Sequence, residues 1–180
     1  PHFLFNALNT IYGLARKNDP NTPDAVIKLS DILRYGLYEV GDTESSLEHE
    51  ILFLQQYVAF ARLRMHRADS IHMHIDAPGA ADLWVTPMLF TPFVENAIKH
   101  GSTSHHIDIQ LTTIGKNVQF LCINGFEHQQ IPTGRTPDGR SGIGIKNVKR
   151  RLELLYPGKY ELNINDTNGK FLVELNLQLS

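Results

Sequence analysis

A chain of 180 residues, 42% of them hydrophobic, can bury one α/β core and leave a small helical piece over. A net charge of −2 gives no bulk attraction to nucleic acid or an anionic membrane, and a single cysteine, Cys122, excludes an internal disulfide and zinc sites built on CxxC pairs. No apolar run approaches the ~20 residues of a membrane span, and no signal peptide is present, while one cysteine suits a reducing cytosol and nine histidines leave other metal sites formally open.

The chain has no initiator Met and opens in what reads as the first turn of a helix, the pattern of an excised fragment. From His2 to Lys17, Leu4, Leu8, Ile11 and Ala15 recur at helical spacing, with His2, Asn6, Asn9 and Gly13 on the opposite, polar face. Asn18-Asp-Pro-Asn21 breaks that helix; Thr22 then reads as an N-cap, with Pro23 at the first helical position and Asp24 favourable to the helix dipole. The second helix aligns Val26, Leu29, Leu33, Leu37 and Val40. Such a hairpin, residues 1–42, cannot cover its apolar stripe alone, and a second copy is the economical cover.

Gly41 to Thr43 marks a boundary, after which 46–180 reads as a separate domain. Ser45-Ser-Leu-Glu48 has capping-box spacing and opens a helix to about Met65. Ile71, Met73 and Ile75 alternate as a strand; Thr86-Pro87 predicts a helix start running through Lys99 and stopped by Gly101. Ile107, Ile109 and Leu111 alternate, and Gly115-Lys-Asn117 turns the chain into Val118, Phe120 and Cys122 as a hairpin partner. Residues 125–141 are rich in Gly, Pro and polar side chains without a period, and a long irregular segment inside a compact domain is usually functional. Ile145, Val148, Leu152 and Leu155 mark a helix stopped by Pro157-Gly158, and two strands, Tyr160–Asn165 and Lys170–Leu179, flank an Asp-Thr-Asn-Gly turn. Hairpin strands with helices between them predict an α+β fold, a two-layer sandwich with a mixed sheet covered on one face, preceded by a helical hairpin.

Three stretches carry chemistry. In Pro92-Phe-Val-Glu-Asn-Ala-Ile-Lys-His-Gly101, Asn96, Lys99 and His100 stand at i, i+3 and i+4 on one helix face. An amide oxygen can hold Mg²⁺ that keeps waters and phosphates as its other ligands, and a lysine can balance phosphate charge; a solvated polar face would look the same. Ser141-Gly-Ile-Gly-Ile-Lys-Asn-Val148 puts two glycines at a helix start, where backbone N–H groups favour an anion, yet it lacks the ending of a P-loop and no strand feeds into it. Pro1-His-Phe-Leu-Phe-Asn-Ala-Leu-Asn9 places a histidine on a polar face beside Asn6. Spacing alone goes no further than a phosphate site and a helical hairpin.

Together and in this order, these stretches resemble the LytS-type (YehU-like) sensor histidine kinases, whose ATP domain is of the GHKL (Bergerat) type. PHFLFNALN resembles the phospho-acceptor motif and LSDILRYGL the second hairpin helix; SLEHEI and YVAFARLR resemble the next helix, TPMLFTPFVENAIKHG the N-box, and GIGIKNVKRRLELLYPGKY the last glycine box. The resemblance implies that His2 takes the γ-phosphoryl group of ATP and passes it to an aspartate of a response regulator receiver domain. It implies Asn96 as the Mg²⁺ ligand, Lys99 and His100 near the phosphates, Gly142, Gly144, Ile145 and Asn147 around the phosphate chain, and 126–141 as a mobile ATP lid. It further implies a homodimer and a cytoplasmic domain of an inner-membrane protein, attached to the membrane through parts outside this segment, with no nucleic-acid partner. Phosphoryl transfer asks mainly for alignment and charge neutralisation, and an imidazole with the ordinary pKa of about 6.5 is largely neutral at pH 7.

The chain departs from the wider pattern at four places. Cys122-Ile-Asn-Gly-Phe-Glu127 stands where an Asp-x-Gly-x-Gly box is usual, so Asn124 replaces the adenine-reading carboxylate with an uncharged acceptor, and the later glycines are missing. Ala61 stands where a glutamate is common, for which no reason is evident. Phe3, not an acidic residue, follows His2, leaving Glu95 as the neighbouring candidate for a base. Pro92 occupies the place of the water-activating glutamate of ATP-hydrolysing relatives, which favours transfer to a protein over hydrolysis. Asn6, one turn past His2, is a candidate for orienting water in regulator dephosphorylation. The alternative is a nucleotide-sensing pseudokinase or dimerisation module without phosphotransfer; an anti-sigma-type serine kinase would share the ATP domain without needing the PHFLFN helix.

Overall fold

The computed structural model describes residues 2–38, 44–63, 70–100, 106–125, 143–167 and 169–179. Five α-helices and seven strands occur in these segments, with one 3-10 turn at Ala80–Asp82: α1 (His2–Arg16), α2 (Thr22–Tyr38), β1 (Ser45–Ser46), α3 (Leu47–Arg62), β2 (Ile71–Asp76), β3 (Trp84–Val85), α4 (Thr91–His100), β4 (Ile107–Ile114), β5 (Asn117–Gly125), α5 (Ile143–Leu155), β6 (Tyr160–Thr167) and β7 (Lys170–Gln178).

The main sheet has the order β2-β4-β5-β7-β6. β2 lies parallel to β4, with Ile71 opposite Ile107, and all other neighbours are antiparallel, as expected for a mixed sheet. Strict alternation sets its faces. Ile107, Ile109 and Leu111 of β4, Val118, Phe120 and Cys122 of β5, and Val173, Leu175 and Leu177 of β7 are buried on one side. Gln110, Gln119 and Glu174 face outward. The inner face is covered by α3, α4 and α5 through Leu54, Val58, Phe93, Val94, Ala97, Val148 and Leu152. Gly115, at φ 59, makes the tight β4–β5 turn that a side chain would strain.

The helical hairpin is closed by local bonds. Asn18 takes a left-handed φ of 50 at the end of α1, and Asp19 Oδ1 accepts from the Asn21 N–H and amide, both at 2.9 Å. The first intrahelical bond of α2 runs from Ala25 N–H to the Asn21 carbonyl at 2.9 Å, so Asn21 holds the cap position expected of Thr22. Thr22 is already helical, and its hydroxyl donates back to the Asp19 carbonyl.

The apolar stripe of α1 is also corrected. Ala7, Ile11 and Leu14 face α2 and α3, whereas Leu4 and Leu8 are exposed together with Phe5 and Tyr12. The helix has two apolar stripes, and the one with small and branched residues packs inside. On α2, Ala25, Leu29 and Ile32 turn inward and Val26 is exposed; the side chain of Leu37 and all of Val40 lie outside the described residues. Phe53 and Phe60 of α3 join this cluster, so α3 packs on the sheet with one side and on the hairpin with the other.

Two other helix starts differ from expectation. Ser46, not Ser45, caps α3 by accepting from His49 N–H at 3.2 Å, because Ser45 and Ser46 are held as a short strand opposite Val85 and Trp84. The helix expected from Thr86 begins at Thr91; Thr86–Phe90 is a turn in which Met88 has a φ of 55. Residues 41–43, Met65, Gly101 and Asn168 lie outside the described residues.

Candidate functional site

Helix α4 is fixed on the sheet by an aromatic cluster: the rings of Phe90 and Phe93 lie 5.0 and 5.9 Å from that of Phe120 on β5. Its first turn is anchored by the Phe90 carbonyl, which accepts from Phe93 N–H at 3.1 Å and Val94 N–H at 3.4 Å. With Phe93, Val94 and Ala97 buried, the helix turns Asn96 to a half-buried position and leaves Glu95 and Lys99 exposed. The His100 side chain lies outside the described residues.

Helix α5 approaches the start of α4. Gly144 has an open face except toward Pro92, whose Cβ would lie 3.8 Å from a Cβ added at the glycine. Ile145 packs on the core, and Gly144 and Asn147 are exposed in the first turns of α5. Gly142 and 126–141 lie outside the described residues, as do the side chains of His2 and Phe3; the backbone of His2 begins α1. Asn6 is half-buried on α1, and its carbonyl accepts from the Thr10 hydroxyl at 2.9 Å.

Asn124 is the most informative of the expected residues. It ends β5 on the inner face, opposite Ile107 and Phe171, and is 1% exposed. Neither its amide nitrogen nor its amide oxygen has a hydrogen-bond partner among the described residues. Leaving such a buried amide unpaired costs roughly 1–3 kcal/mol per group, and buried polar groups without partners are uncommon, a ligand, an ion or ordered water being among the usual reasons. An amide that can both donate and accept suits the edge of a purine. Asn124, Asn96 and Gly144 lie on β5, α4 and α5, and α4 packs on β5 through Phe93 and the preceding Phe90 beside Phe120 and meets α5 at Pro92 and Gly144.

A cavity of about 550 Å³ lies elsewhere, at Arg62, His72, His74 and Asp108 on the outer face of the sheet, and no chemistry above involves it. His72 Nε2 and His106 Nδ1 are 3.3 Å apart at its edge. No group of three potential metal ligands occurs among the described residues.

The residue that sequence reasoning missed is Glu50. It is fully buried on α3, and burial holds its carboxyl above the ordinary range despite bonds from Met88, Tyr35, Phe90 and Leu89. Oε2 accepts from Tyr35 Oη at 2.9 Å and Met88 N–H at 2.8 Å, and Oε1 from Phe90 N–H at 3.4 Å. The available signal was a carboxylate at the spacing of Leu47, Ile51 and Leu54, on the stripe bound for the core. The same turn is held from α5 and the residue just past it. Arg151 donates to the Pro87 carbonyl at 2.9 Å, and the Tyr156 hydroxyl accepts from Thr86 N–H at 2.8 Å.

Residues 1–68 match the histidine kinase family model. The chain is 36% identical over 178 residues to the sensor protein kinase HptS of Staphylococcus aureus, and 30% identical over 187 residues to the sensor protein LytS of Oceanobacillus iheyensis. The chain is similar to sensor histidine kinases of the LytS type. Both alignments cover 97% of this chain and 32% of the relative, so the chain spans about a third of the length of these relatives. Its fold is similar to that of the Acinetobacter baumannii histidine kinase AdeS, with a TM-score of 0.50, 12% identity and coverage of 99% of this chain and 98% of that one. A protein described as a bacterial phosphotransferase gives a TM-score of 0.52 at 10% identity, covering 97% and 90%. The α+β architecture is shared with these two solved structures.

Proposed function

We propose that this chain is the ATP-dependent phosphotransfer core of a two-component sensor histidine kinase, with 1–42 as the dimerising acceptor hairpin and 46–180 as the ATP-binding domain. A ring nitrogen of His2 forms a bond to the γ-phosphorus of ATP as the bond to the ADP oxygen breaks. The displaced ring proton passes to a base, for which Glu95, exposed on α4, is the candidate. The phosphoryl group then moves to an aspartate of a response regulator receiver domain. Asn6 is the candidate for orienting water when that aspartate is dephosphorylated.

The observation that supports this reading is the buried amide of Asn124 near the end of β5, which has no partner among the described residues and could meet a ligand's hydrogen-bonding edge. Asn96 supplies a neutral oxygen of the kind Mg²⁺ accepts among waters and phosphates, and the ion would neutralise phosphate charge when bound. Lys99 adds a cation on the same face. His100, Gly142, Gly144, Ile145 and Asn147 complete the proposed phosphate surroundings. The exposed Phe5, Leu8, Tyr12 and Ile27 of the hairpin support a homodimer. Among the described residues no helix is long and apolar enough to cross a membrane; the proposed inner-membrane attachment, with this segment on the cytoplasmic side, rests on the likeness to sensor kinases.

The test is incubation with Mg-ATP and measurement of acid-labile phosphate, which is expected on the wild type and absent from His2→Ala. Label that survives the substitution overturns the assignment of His2. The uncharged Asn124 favours a second reading, a nucleotide-sensing module without transfer. Calorimetry with a non-hydrolysable ATP analogue separates the two: binding without any labelling of His2 supports the sensor.

A further inference from the structure

We propose that Glu50 is a positioning residue for the transfer reaction, fastening the turn that launches α4 and passing the placement of α2 to it through Tyr35. The proposal rests on the kinase activity proposed above and goes beyond it by naming how the acceptor hairpin and the nucleotide face are joined.

Backbone groups of Thr86, Pro87, Met88 and Phe90 are held by side chains from distant elements. Glu50 holds the N–H of Met88, whose left-handed backbone is unfavourable for a residue with a side chain, and that of Phe90. The turn is therefore held in a conformation it would not keep unaided. Its last residue, Phe90, supplies the carbonyl that anchors the first turn of α4 and the ring that packs on Phe120, so the turn sets where Asn96 stands.

The carboxylate oxygen that holds Met88 also holds Tyr35 of α2. The Tyr35 ring stacks on Phe53 of α3 with centroids 4.4 Å apart, which fixes the direction of its hydroxyl. A shift of α2 that withdraws this hydroxyl leaves the buried carboxylate short of a donor and weakens its hold on the turn. A carboxylate shared between the hairpin and the α4 turn couples the two.

The experiment measures His2 phosphorylation across Mg-ATP concentrations, and calorimetric binding of a non-hydrolysable analogue, for the full chain and four variants. Tyr35→Phe is expected to lower kcat about fivefold while KM and analogue affinity stay near wild type, the signature of an interaction needed only for the chemical step. Glu50→Ala is expected to lose more than about tenfold in kcat and to weaken analogue binding, since misplacing reacting groups even slightly is costly. Glu50→Gln keeps an oxygen for Tyr35 and Met88 and is expected to recover most of that loss. The double variant Y35F/E50Q is expected to be less impaired than the product of the single effects, because both touch one contact.

Tyr35→Phe with wild-type kcat and only a lower melting temperature makes the contact structural and overturns the proposal. If Glu50→Ala does not fold, Tyr35→Phe decides, because it removes a single half-buried hydroxyl. A wild type that binds the analogue but never labels His2 refutes the kinase activity and the proposal with it, so the wild-type control separates the two failures.

Discussion

Arg151 donates to the carbonyl of Pro87 at 2.9 Å, so the helix that follows the glycine segment grips the turn preceding α4. Pro87 is buried, and its carbonyl faces little water if this donor is lost. Arg151→Met keeps most of the side chain's apolar length and removes the donor. The unfolding free energy is expected to fall by roughly 1–3 kcal/mol, the cost of orphaning a buried acceptor, read from urea denaturation midpoints at unchanged m. A loss below the error of extrapolation would show that water replaces the guanidinium.

Cys122 lies on the inner face of β5 and is 1% exposed. Burial, aided by the Asp108 carboxylate, pushes its thiol up to about 12. The reactive thiolate is therefore scarce, on the order of 10⁻⁴ of molecules at pH 8, and sterically covered as well. Iodoacetamide is expected to leave native protein unmodified and to label it at a rate that tracks unfolding as urea is added. Rapid labelling in the absence of denaturant would mean that the sheet face opens locally.

The strands were legible because period-two alternation is a local property that burial then enforces: Ile107, Ile109, Leu111 and Val118, Phe120, Cys122 all turn inward. The start of α4 was not. Thr86-Pro87 and Thr91-Pro92 carry the same helix-start letters, and the choice between them is made by Glu50, which takes the Met88 and Phe90 N–H groups into a buried carboxylate far away in sequence. The stripe of α1 failed for a related reason. Its apolar residues lie on two faces, and only the presence of Phe53 and Phe60 decides which one is covered. Asn124 was readable as a departure from a motif, while its lack of partners among the described residues depends on the packing of β4, β5 and β7 around it.

Glu50 gives the protein a pH dependence of stability with a definite sign. Its folded-state pKa lies above the ordinary 4.5 because burial disfavours the charge. The native state then holds the proton over a range where the unfolded chain has released it, so stability falls as pH rises through that range. The contribution is fully present below 4.5 and is lost as pH climbs through the raised folded value. Glu50→Gln has no proton to lose. Urea midpoints collected from about pH 4 to pH 8 should therefore decline more steeply with rising pH in the wild type than in Glu50→Gln, other titrating groups cancelling in the difference. Parallel curves would show that the carboxyl is ionised at no cost.

Asn124 allows stability and binding to be pulled in opposite directions by one substitution. Its amide is buried and neither polar atom has a partner among the described residues, so in the ligand-free protein its desolvation is not offset by those residues. Asn124→Leu has nearly the same volume and no polar atom. It is expected to raise the unfolding free energy of the ligand-free protein by about 1–3 kcal/mol, since replacing an unsatisfied buried polar group removes its penalty. The same substitution deletes the donor and acceptor proposed to meet the adenine edge, and calorimetric binding of a non-hydrolysable ATP analogue is expected to weaken by about tenfold or more, as when a site built to hydrogen-bond loses its partner. A purely structural asparagine would move both measurements the same way or leave binding untouched. A stabilised protein that no longer takes nucleotide is the outcome that only a binding site predicts.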